Sequence, residues 1–318
     1  MSWDVIIPFL RPIESLIRDP EISDIMVNGS SRVFIEKYGE LKAVPDAMIS
    51  ERSLQVAVRN IARVLGDEIS EEKPLLDARL PDGSRVTAVF PPCSVTGTIL
   101  TIRKFHSKRY TPDELVRTGT LTLGLLKDLR DAIENRRNIL ISGGTGTGKT
   151  TLLNALASFV PNSERIVVIE DTSELQLQAE NLVRLEARRE QSGLPSVTMR
   201  DLLRATLRLR PDRILLGEVR GGEAFDLLQA FNTGHAGSLS TIHANSAEQA
   251  LSRFTNCVLQ SGIELPYTAI RANIAEALSL VVHIERRQGR RYISDALAIT
   301  RYRPTEDRYD FQTVFKKE

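Results

Sequence analysis

Short apolar runs alternate with helical apolar stripes along the second half of the chain. Runs bounded by polar residues predict strands at 138–142, 165–170, 213–217 and 238–242. The helical stripes between them are carried by Leu202, Leu203, Leu209, Phe225, Leu228 and Phe231. Strands that alternate with helices form a parallel sheet covered on both faces. The sequence therefore predicts an α/β domain with a mainly parallel sheet over residues 125–318.

The first third of the chain carries shorter and less regular signals. Strand-like runs occur at 25–27, 32–36, 85–90 and 98–103. A helical stripe from Leu54 to Leu65 lies among them, and together they predict a smaller α+β domain over residues 1–105. Residues 106–124 contain turn signals and few apolar positions, so they are predicted to be an interdomain linker. An apolar stripe from Ile6 to Ile17 is expected to pack against its own domain.

Composition narrows the class of protein. The chain of 318 residues has 42 Lys and Arg against 41 Asp and Glu, and this balance gives no support for a nucleic-acid-coating protein. No run approaches the roughly 20 apolar residues that span a bilayer, and the early Asp4 argues against a secretory signal. Cys93 and Cys257 are the only cysteines, and both are predicted to be buried, reduced thiols. We expect a cytoplasmic protein.

The strand predicted at 138–142 leads into the spacing G-x-x-x-x-G-K-[ST]. This spacing is typical of a phosphate-binding loop between a strand and a helix, in which backbone N–H groups surround phosphate oxygens. The loop residues are Gly143, Gly144, Thr145, Gly146, Thr147, Gly148, Lys149, Thr150 and Thr151. Lys149 brings positive charge to the β- and γ-phosphates, and the Thr150 hydroxyl is a ligand for Mg²⁺. The sequence predicts a site for a nucleoside triphosphate.

The strand predicted at 165–170 delivers carboxylates to its carboxyl end. Glu170, Asp171 and Glu174 lie there, where they could orient Mg²⁺ and draw a proton from an attacking water. The alternative is a capping cluster that opens the next helix. The residues alone leave both interpretations open.

Two further strand ends carry candidate chemistry. Gly217 stands where an ordinary Walker B strand ends in Asp, and Glu218 follows it. His235 and His243 flank the strand predicted at 238–242. A metal pair is one interpretation of these histidines. Sensing of a γ-phosphate is favoured because no cysteine lies nearby and a phosphate loop is already present.

These four stretches, taken in chain order, resemble four motifs of the bacterial secretion traffic ATPases. Proteins of that family drive type IV secretion and conjugation, type II secretion, and pilus assembly. Residues 143–151 are similar to the Walker A of that family, 169–174 to its Asp box, 210–221 to its Walker B and 233–245 to its His box. The resemblance implies a C-terminal RecA-like ATPase domain and a PAS-like N-terminal domain. It also implies hydrolysis of ATP with Mg²⁺ by a homohexameric ring at the cytoplasmic face of the inner membrane.

The resemblance also implies roles for individual residues. Glu174 is the expected catalytic glutamate, Glu218 would support Mg²⁺ and the water network, and His243 would lie near the γ-phosphate. The expected neighbours of Mg²⁺ are Thr150, Glu218, Glu170 and Asp171. The family brings arginines of the N-terminal domain to the nucleotide, and here Arg85 and Arg103 fall on its two late strands. Solvated strand arginines are the alternative for these two.

Several interpretations remain open. The short N-terminal domain and the absence of a paired Cys-x-x-Cys insertion argue against type II secretion. The type IV secretion and conjugal-transfer branch and the Tad-type pilus branch stay open, and the compact length favours the former. The expected partners are inner-membrane and cytoplasmic components of such an apparatus, with peripheral membrane contact allowed and no direct nucleic-acid binding. A nucleotide-binding scaffold and a nucleic-acid motor are alternatives from other classes. Arg200, Arg204 and Arg208 share one helix face, which is either solvated or a contact with a neighbouring subunit.

Overall fold

The computed structural model describes residues 7–80, 82–105, 110–188, 190 and 194–317. These residues form two compact units, an N-terminal one up to residue 105 and a C-terminal one from residue 110 onward. Ile6 and residues 106–109 of the predicted linker lie outside the described part. Residues 110–124 belong to the C-terminal unit, and they include a short helix whose capping box joins Thr111 and Glu114.

An antiparallel sheet of six strands forms the N-terminal unit, in the spatial order β3-β2-β1-β6-β5-β4. The strands are β1 (Ile22–Asn28), β2 (Val33–Lys37), β3 (Glu40–Ala43), β4 (Leu75–Arg79), β5 (Arg85–Val89) and β6 (Ile99–Arg103). Helices α1 (Glu14–Arg18) and α2 (Glu51–Val64) accompany them. The α2 side chains Leu54, Val58 and Ile61 share one core with Leu10 and Ile13 of the N-terminal stripe, as expected.

The described part of the C-terminal unit contains one sheet of eight strands, in the order β14-β13-β12-β7-β11-β10-β8-β9. The strands are β7 (Ile139–Gly143), β8 (Ile166–Glu170), β9 (Leu182–Glu186), β10 (Arg213–Val219), β11 (Leu239–His243), β12 (Leu280–Arg287), β13 (Arg290–Arg303) and β14 (Arg308–Lys316). The helices are α3 (Pro112–Arg117), α4 (Leu123–Glu134), α5 (Lys149–Ala157), α6 (Met199–Thr206), α7 (Glu223–Asn232), α8 (Ala247–Leu259) and α9 (Tyr267–Ala277).

Six neighbouring strands of this sheet, from β9 to β12, run parallel, and only β13 and β14 are antiparallel. Alternate residues of each central strand face different cores. In β7, Ile139 and Ile141 pack with α4 and α5, whereas Leu140 packs in the core that holds α7, α8 and α9. Burial on both faces explains the continuous apolar runs that predict these strands. The predicted α/β fold with a mainly parallel sheet is confirmed.

The structure also bears on the expectations for the cysteines, for membrane-spanning helices and for the number of strands. Cys257 is buried, but Cys93 is exposed, so the prediction of two buried thiols is wrong for Cys93, which lies in the turn region between β5 and β6. Among the described residues, none of the helices combines the length and the apolar character needed to cross a membrane. The sequence analysis does not predict β9 or β12–β14. Charged side chains occupy exposed positions of β9, β13 and β14, whereas β12 begins with five buried residues and becomes charged only over its last three.

Candidate functional site

The phosphate-binding loop connects β7 to α5, which is the predicted strand–loop–helix arrangement. Gly148 is the N-cap of α5 and has a φ of 99°, in the left-handed region where a side chain would be strained. Gly144, Thr145 and Gly146 are exposed, and the Thr147 hydroxyl donates to the carbonyl of Gly144 at 2.9 Å. The first turn of α5 therefore presents unpaired backbone N–H groups next to an exposed glycine-rich loop, which favours an anion.

Lys149 is buried at the first position of α5. Its Nζ donates to the carbonyls of Gly143 at 3.1 Å and Gly144 at 2.9 Å, and it lies 3.3 Å from Nδ1 of His243. Burial lowers the pKa of the Lys149 ammonium, and the negative charges of Glu218 and Glu174 act in the opposite direction. The positive charge thus lies inside the loop and within reach of the strand-end carboxylates.

Strand β10 contains a bulge at its carboxyl end. Leu216 lies opposite Ser240 and Val219 opposite Ile242, so β10 has one more residue than β11 between these pairs. Such a bulge redirects the following side chain, and here the redirected residue is Glu218. The preceding Gly217 is closely packed, because an added Cβ would lie 3.1 Å from Cγ of Glu170. The departure from Asp at this position leaves room for the buried Glu170.

Glu218 is the centre of a polar network. Its Oε1 lies 3.2 Å from Nε2 of His243 and 3.2 Å from Nε of Arg220. Arg220 also donates from Nη2 to Oε2 of Glu218 at 3.2 Å and from Nη1 to Asp171 at 3.0 Å. Arg220 therefore bridges two predicted site carboxylates, yet sequence reasoning does not single it out. The signal for it is its place two residues after Glu218 in the Walker B stretch.

His243 ends β11 between Lys149 and Glu218. Burial lowers the pKa of its imidazole, while the Glu218 carboxylate opposes that effect. Burial therefore favours the neutral form of the ring. Its Nε2 lies 3.2 Å from Oε1 of Glu218, and the Lys149 ammonium lies 3.3 Å from Nδ1 and 3.4 Å from Nε2.

Glu170 and Glu174 occupy different environments. Glu170 is buried, and its Oε1 accepts from the backbone N–H groups of Glu174 and Leu175, both at 2.9 Å. Burial raises the pKa of Glu170, and these two hydrogen bonds lower it. The Glu174 side chain is exposed, and the segment after it is held to α5 by Asn154, which accepts from the N–H of Gln176 at 2.8 Å. Glu170 shapes the turn, and Glu174 is accessible.

The two strand-flanking histidines are separated. His235 precedes β11 and has its Nδ1 3.1 Å from the carbonyl oxygen of Pro211, whereas His243 ends β11. A five-residue strand spans on the order of 13 Å, so the two rings do not form a metal pair. In the described part of the chain, no group of three or more His, Cys, Asp or Glu could hold a metal. Thr150 lies half-buried in the first turn of α5, beside Lys149.

The remaining arginines of interest are ion-paired. In the N-terminal unit, Arg85 lies directly opposite Arg103 on the neighbouring strand. Arg85 pairs with Asp77, and Arg103 pairs with Asp24, with an Nε–Oδ1 distance of 2.9 Å in each pair.

The basic face of α6 is largely used within the chain. Arg200 and Arg204 both bind the carboxylate of Asp226 in α7, at 2.7 and 2.8 Å, and Arg200 also donates to the carbonyl of Ser261. These contacts join α6 to α7. Arg208, the third member of that face, is exposed.

Comparison with known proteins extends over most of the chain. The family model described as Type II/IV secretion system protein matches residues 10–304. Conjugal transfer protein TrbB of Rhizobium radiobacter is 38% identical over 289 residues, which are 90% of this chain and 86% of that protein. Type IV secretion system protein PtlH of Bordetella pertussis is 39% identical over 306 residues, 88% of this chain and 90% of that protein. The crystal structure of the VirB11 ATPase from the Brucella suis type IV secretion system is 33% identical, with a TM-score of 0.50, over 92% of this chain and 97% of that one.

Proposed function

Since the chain belongs to the Type II/IV secretion system family and is an ATPase of its type IV secretion and conjugal-transfer branch, we propose that it hydrolyses ATP with Mg²⁺ as a homohexameric ring. The ring would power transport through a cell-envelope apparatus. The observation that carries this proposal is the position of His243 at the end of a phosphate-binding loop, 3.3 Å from the Lys149 ammonium and 3.2 Å from the Glu218 carboxylate.

The proposed chemistry follows from the site. The loop N–H groups and Lys149 bind the phosphates and offset the charge that develops during phosphoryl transfer. Glu174, the accessible carboxylate, takes the proton of the attacking water. His243, which lies between Glu218 and Lys149, is proposed to lie near the γ-phosphate.

The donor set fits Mg²⁺. This ion is bound in most nucleotide sites by one or two protein oxygens together with substrate phosphates rather than by a complete protein cage. The Thr150 hydroxyl and the Glu218 carboxylate are the proposed donors, and Asp171 is held beside them through Arg220. Glu218 keeps one lone pair beyond the three used by Arg220 and His243. The ion would neutralise charge on the transferred phosphate. Glu170, used in the turn, is not among the proposed ligands.

The wider assignment rests on the relatives. TrbB is a conjugal transfer protein and PtlH a type IV secretion system protein, which favours this branch over the Tad-type pilus branch. Inner-membrane and cytoplasmic components of such an apparatus are the proposed partners, at the cytoplasmic face of the inner membrane. Contributions of Arg85 and Arg103 to hydrolysis are proposed from the family resemblance alone.

Phosphate release from ATP by the purified chain tests the proposal. Wild-type protein should hydrolyse ATP, and EDTA should abolish turnover. Lys149→Ala should reduce turnover at least about 1,000-fold because the charge at the phosphates is lost, whereas Lys127→Ala, which alters an exposed lysine of α4, should not. Light scattering should give a mass near six chains of 35.5 kDa. Full activity of Lys149→Ala would refute the site.

A further inference from the structure

The turn between β12 and β13 carries four arginines in a tight group. They are Arg286, Arg287, Arg290 and Arg291, and the strand register places them in two directly opposite pairs, Arg286 with Arg291 and Arg287 with Arg290. Successive strand residues point to opposite faces. One arginine pair therefore projects from each face of the same hairpin.

The pair Arg286–Arg291 lies against the phosphate-binding loop. Nε of Arg291 donates to the carbonyl of Gly146 at 3.3 Å. A Cβ built on Gly148 would lie 3.2 Å from Cδ of Arg291, and one built on Gly146 would lie 3.6 Å from Nη1 of Arg286. Both guanidinium groups thus approach Gly146, and the Arg291 side chain also approaches Gly148.

Opposed like charges on neighbouring strands cost stability. A bound anion between or beside the two arginines attracts both of them and offsets their mutual repulsion. Guanidinium groups bind phosphate oxygens with charge-assisted, directional hydrogen bonds. A pair of arginines fixed next to a phosphate-binding loop is suited to such an anion.

The strand order determines which part of a nucleotide the pair can reach. The loop follows β7, and β7 lies between β12 on one side and β11 on the other. His243 and Glu218 lie on the side of β11 and β10, whereas the arginine hairpin lies on the side of β12. The hydrolytic residues and the arginine pair therefore approach the loop from opposite sides.

We propose that Arg286 and Arg291 bind the portion of the nucleotide that ADP and ATP share, on the side of the loop away from the hydrolytic residues. This inference rests on the proposed function, since it assumes that the loop binds a nucleotide. The two arginines would add to affinity for both nucleotides without taking part in bond cleavage.

Titration with fluorescent mant-ADP and mant-ATP tests the inference. Arg286→Gln and Arg291→Gln should each raise the Kd for both nucleotides about tenfold, the loss of one charge-assisted hydrogen bond. The KM for ATP should rise with kcat changed by no more than about twofold. The double variant Arg287→Gln/Arg290→Gln removes two charges from the opposite face of the same hairpin, and it should bind like wild type.

The possible failures are distinguishable. Wild-type protein that binds neither nucleotide would refute the proposed function and this inference with it. Wild-type binding with unchanged affinity in Arg286→Gln and Arg291→Gln would refute the inference alone. Weaker ATP binding with unchanged ADP binding would also refute it, since the pair would then act at the γ-phosphate.

Thermal unfolding separates a binding role from a structural one. Without nucleotide, Arg291→Gln should melt close to the wild-type temperature, because it loses one 3.3 Å hydrogen bond to Gly146 and also removes one of two opposed charges. With saturating ADP its melting temperature should rise less than that of wild type. A lower melting temperature without nucleotide, combined with an unchanged rise on adding ADP, would assign the pair to the fold instead.

Discussion

The two ends of the parallel sheet hold charged side chains in opposite ways. At the amino ends, Arg213 of β10 is fully buried, pairs with Glu164 through Nε and donates to the carbonyl of Gly237 at 3.0 Å. At the carboxyl ends, Glu218 of the same strand is partly exposed and shares its oxygens between His243 and Arg220 at 3.2 Å. One strand therefore carries a locked ion pair at one end and a looser, accessible network at the other.

Asn138 reinforces the contrast at the amino ends. Its Oδ1 accepts from the N–H groups of Gly237 at 2.8 Å and Ser238 at 3.0 Å, and its Nδ2 donates to the carbonyl of Ala277 at 2.7 Å. These three hydrogen bonds are buried. Groups in such an arrangement stabilise one structure, whereas groups with spare lone pairs and solvent access can bind a substrate. The comparison predicts loss of stability at one end and loss of turnover at the other.

The largest effect is expected at the amino ends. Arg213→Ala leaves the Glu164 carboxylate, among the described residues, with its ion pair to Arg136 alone, and it opens a buried space. We expect the free energy of unfolding to fall by about 3 kcal/mol or more, measured by urea unfolding. Arg137→Ala, at a neighbouring exposed arginine, should cost less than about 0.5 kcal/mol. Turnover per folded molecule should change little, and a selective loss of turnover would contradict the division of roles.

The next effect is expected at Glu174. Glu174→Gln removes the proposed general base but keeps its size, so turnover should fall about 100- to 1,000-fold. Binding of mant-ATP and the melting temperature should stay close to the wild-type values, because the side chain is exposed. Glu180→Gln, another exposed glutamate of the same segment, is the matched control. Loss of ATP binding in Glu174→Gln would assign this residue to binding.

A smaller effect is expected at Arg220, the bridge between Glu218 and Asp171. Arg220→Gln should reduce turnover about tenfold, since Glu218 loses two of its contacts and holds His243 less firmly. The positive charge of Arg220 lowers the pKa of His243, so its removal should raise that pKa, which NMR titration of the imidazole can measure. Arg208→Gln provides the control. An unchanged His243 pKa would mean that Arg220 does not act through this network.

The sequence predicts the parts of the site that depend on local spacing. The phosphate loop, the strands that precede it and the charged strand ends all follow from motifs or apolar runs within about ten residues. The rule that parallel strands place their carboxyl ends at one edge then brings Lys149, His243 and Glu218 together. The RecA-like fold and the family are implied by the resemblance of the same motifs, in the same order, to those of the secretion traffic ATPases.

Features that depend on long-range register are not predictable in this way. The bulge at Gly217 and Glu218 is defined only against β11, and the Arg220 bridge requires Asp171 of another strand end. The arginine hairpin reaches the loop because β12 pairs with β7, about 140 residues earlier in the chain. The role of Glu170 is also not predictable from the sequence. Its motif suggests a metal ligand, but in the structure its buried carboxylate accepts hydrogen bonds from the backbone of the following turn.

The smallest effect is expected at His283. This residue tests whether burial or position in the sheet decides if a side chain affects stability or turnover. This residue lies in β12 opposite Ser142, close to the phosphate loop, yet it is buried, and its Nδ1 lies 2.8 Å from the Ser142 hydroxyl. Burial, more than position, should decide its role. We therefore expect His283→Asn to change stability and leave kcat at saturating ATP nearly unchanged.

The pH dependence provides the measurement. Burial lowers the pKa of His283 in the folded state, so the unfolded chain takes up a proton first as the pH falls below the ordinary histidine value of about 6.5. Unfolding is then favoured, and wild-type protein should lose on the order of 1 kcal/mol more stability than His283→Asn between pH 7.5 and 5.5, by urea unfolding at each pH. Equal slopes would mean that His283 titrates alike in both states. A large fall in kcat would place this buried histidine with the accessible network, and burial would then not be what separates the two ends.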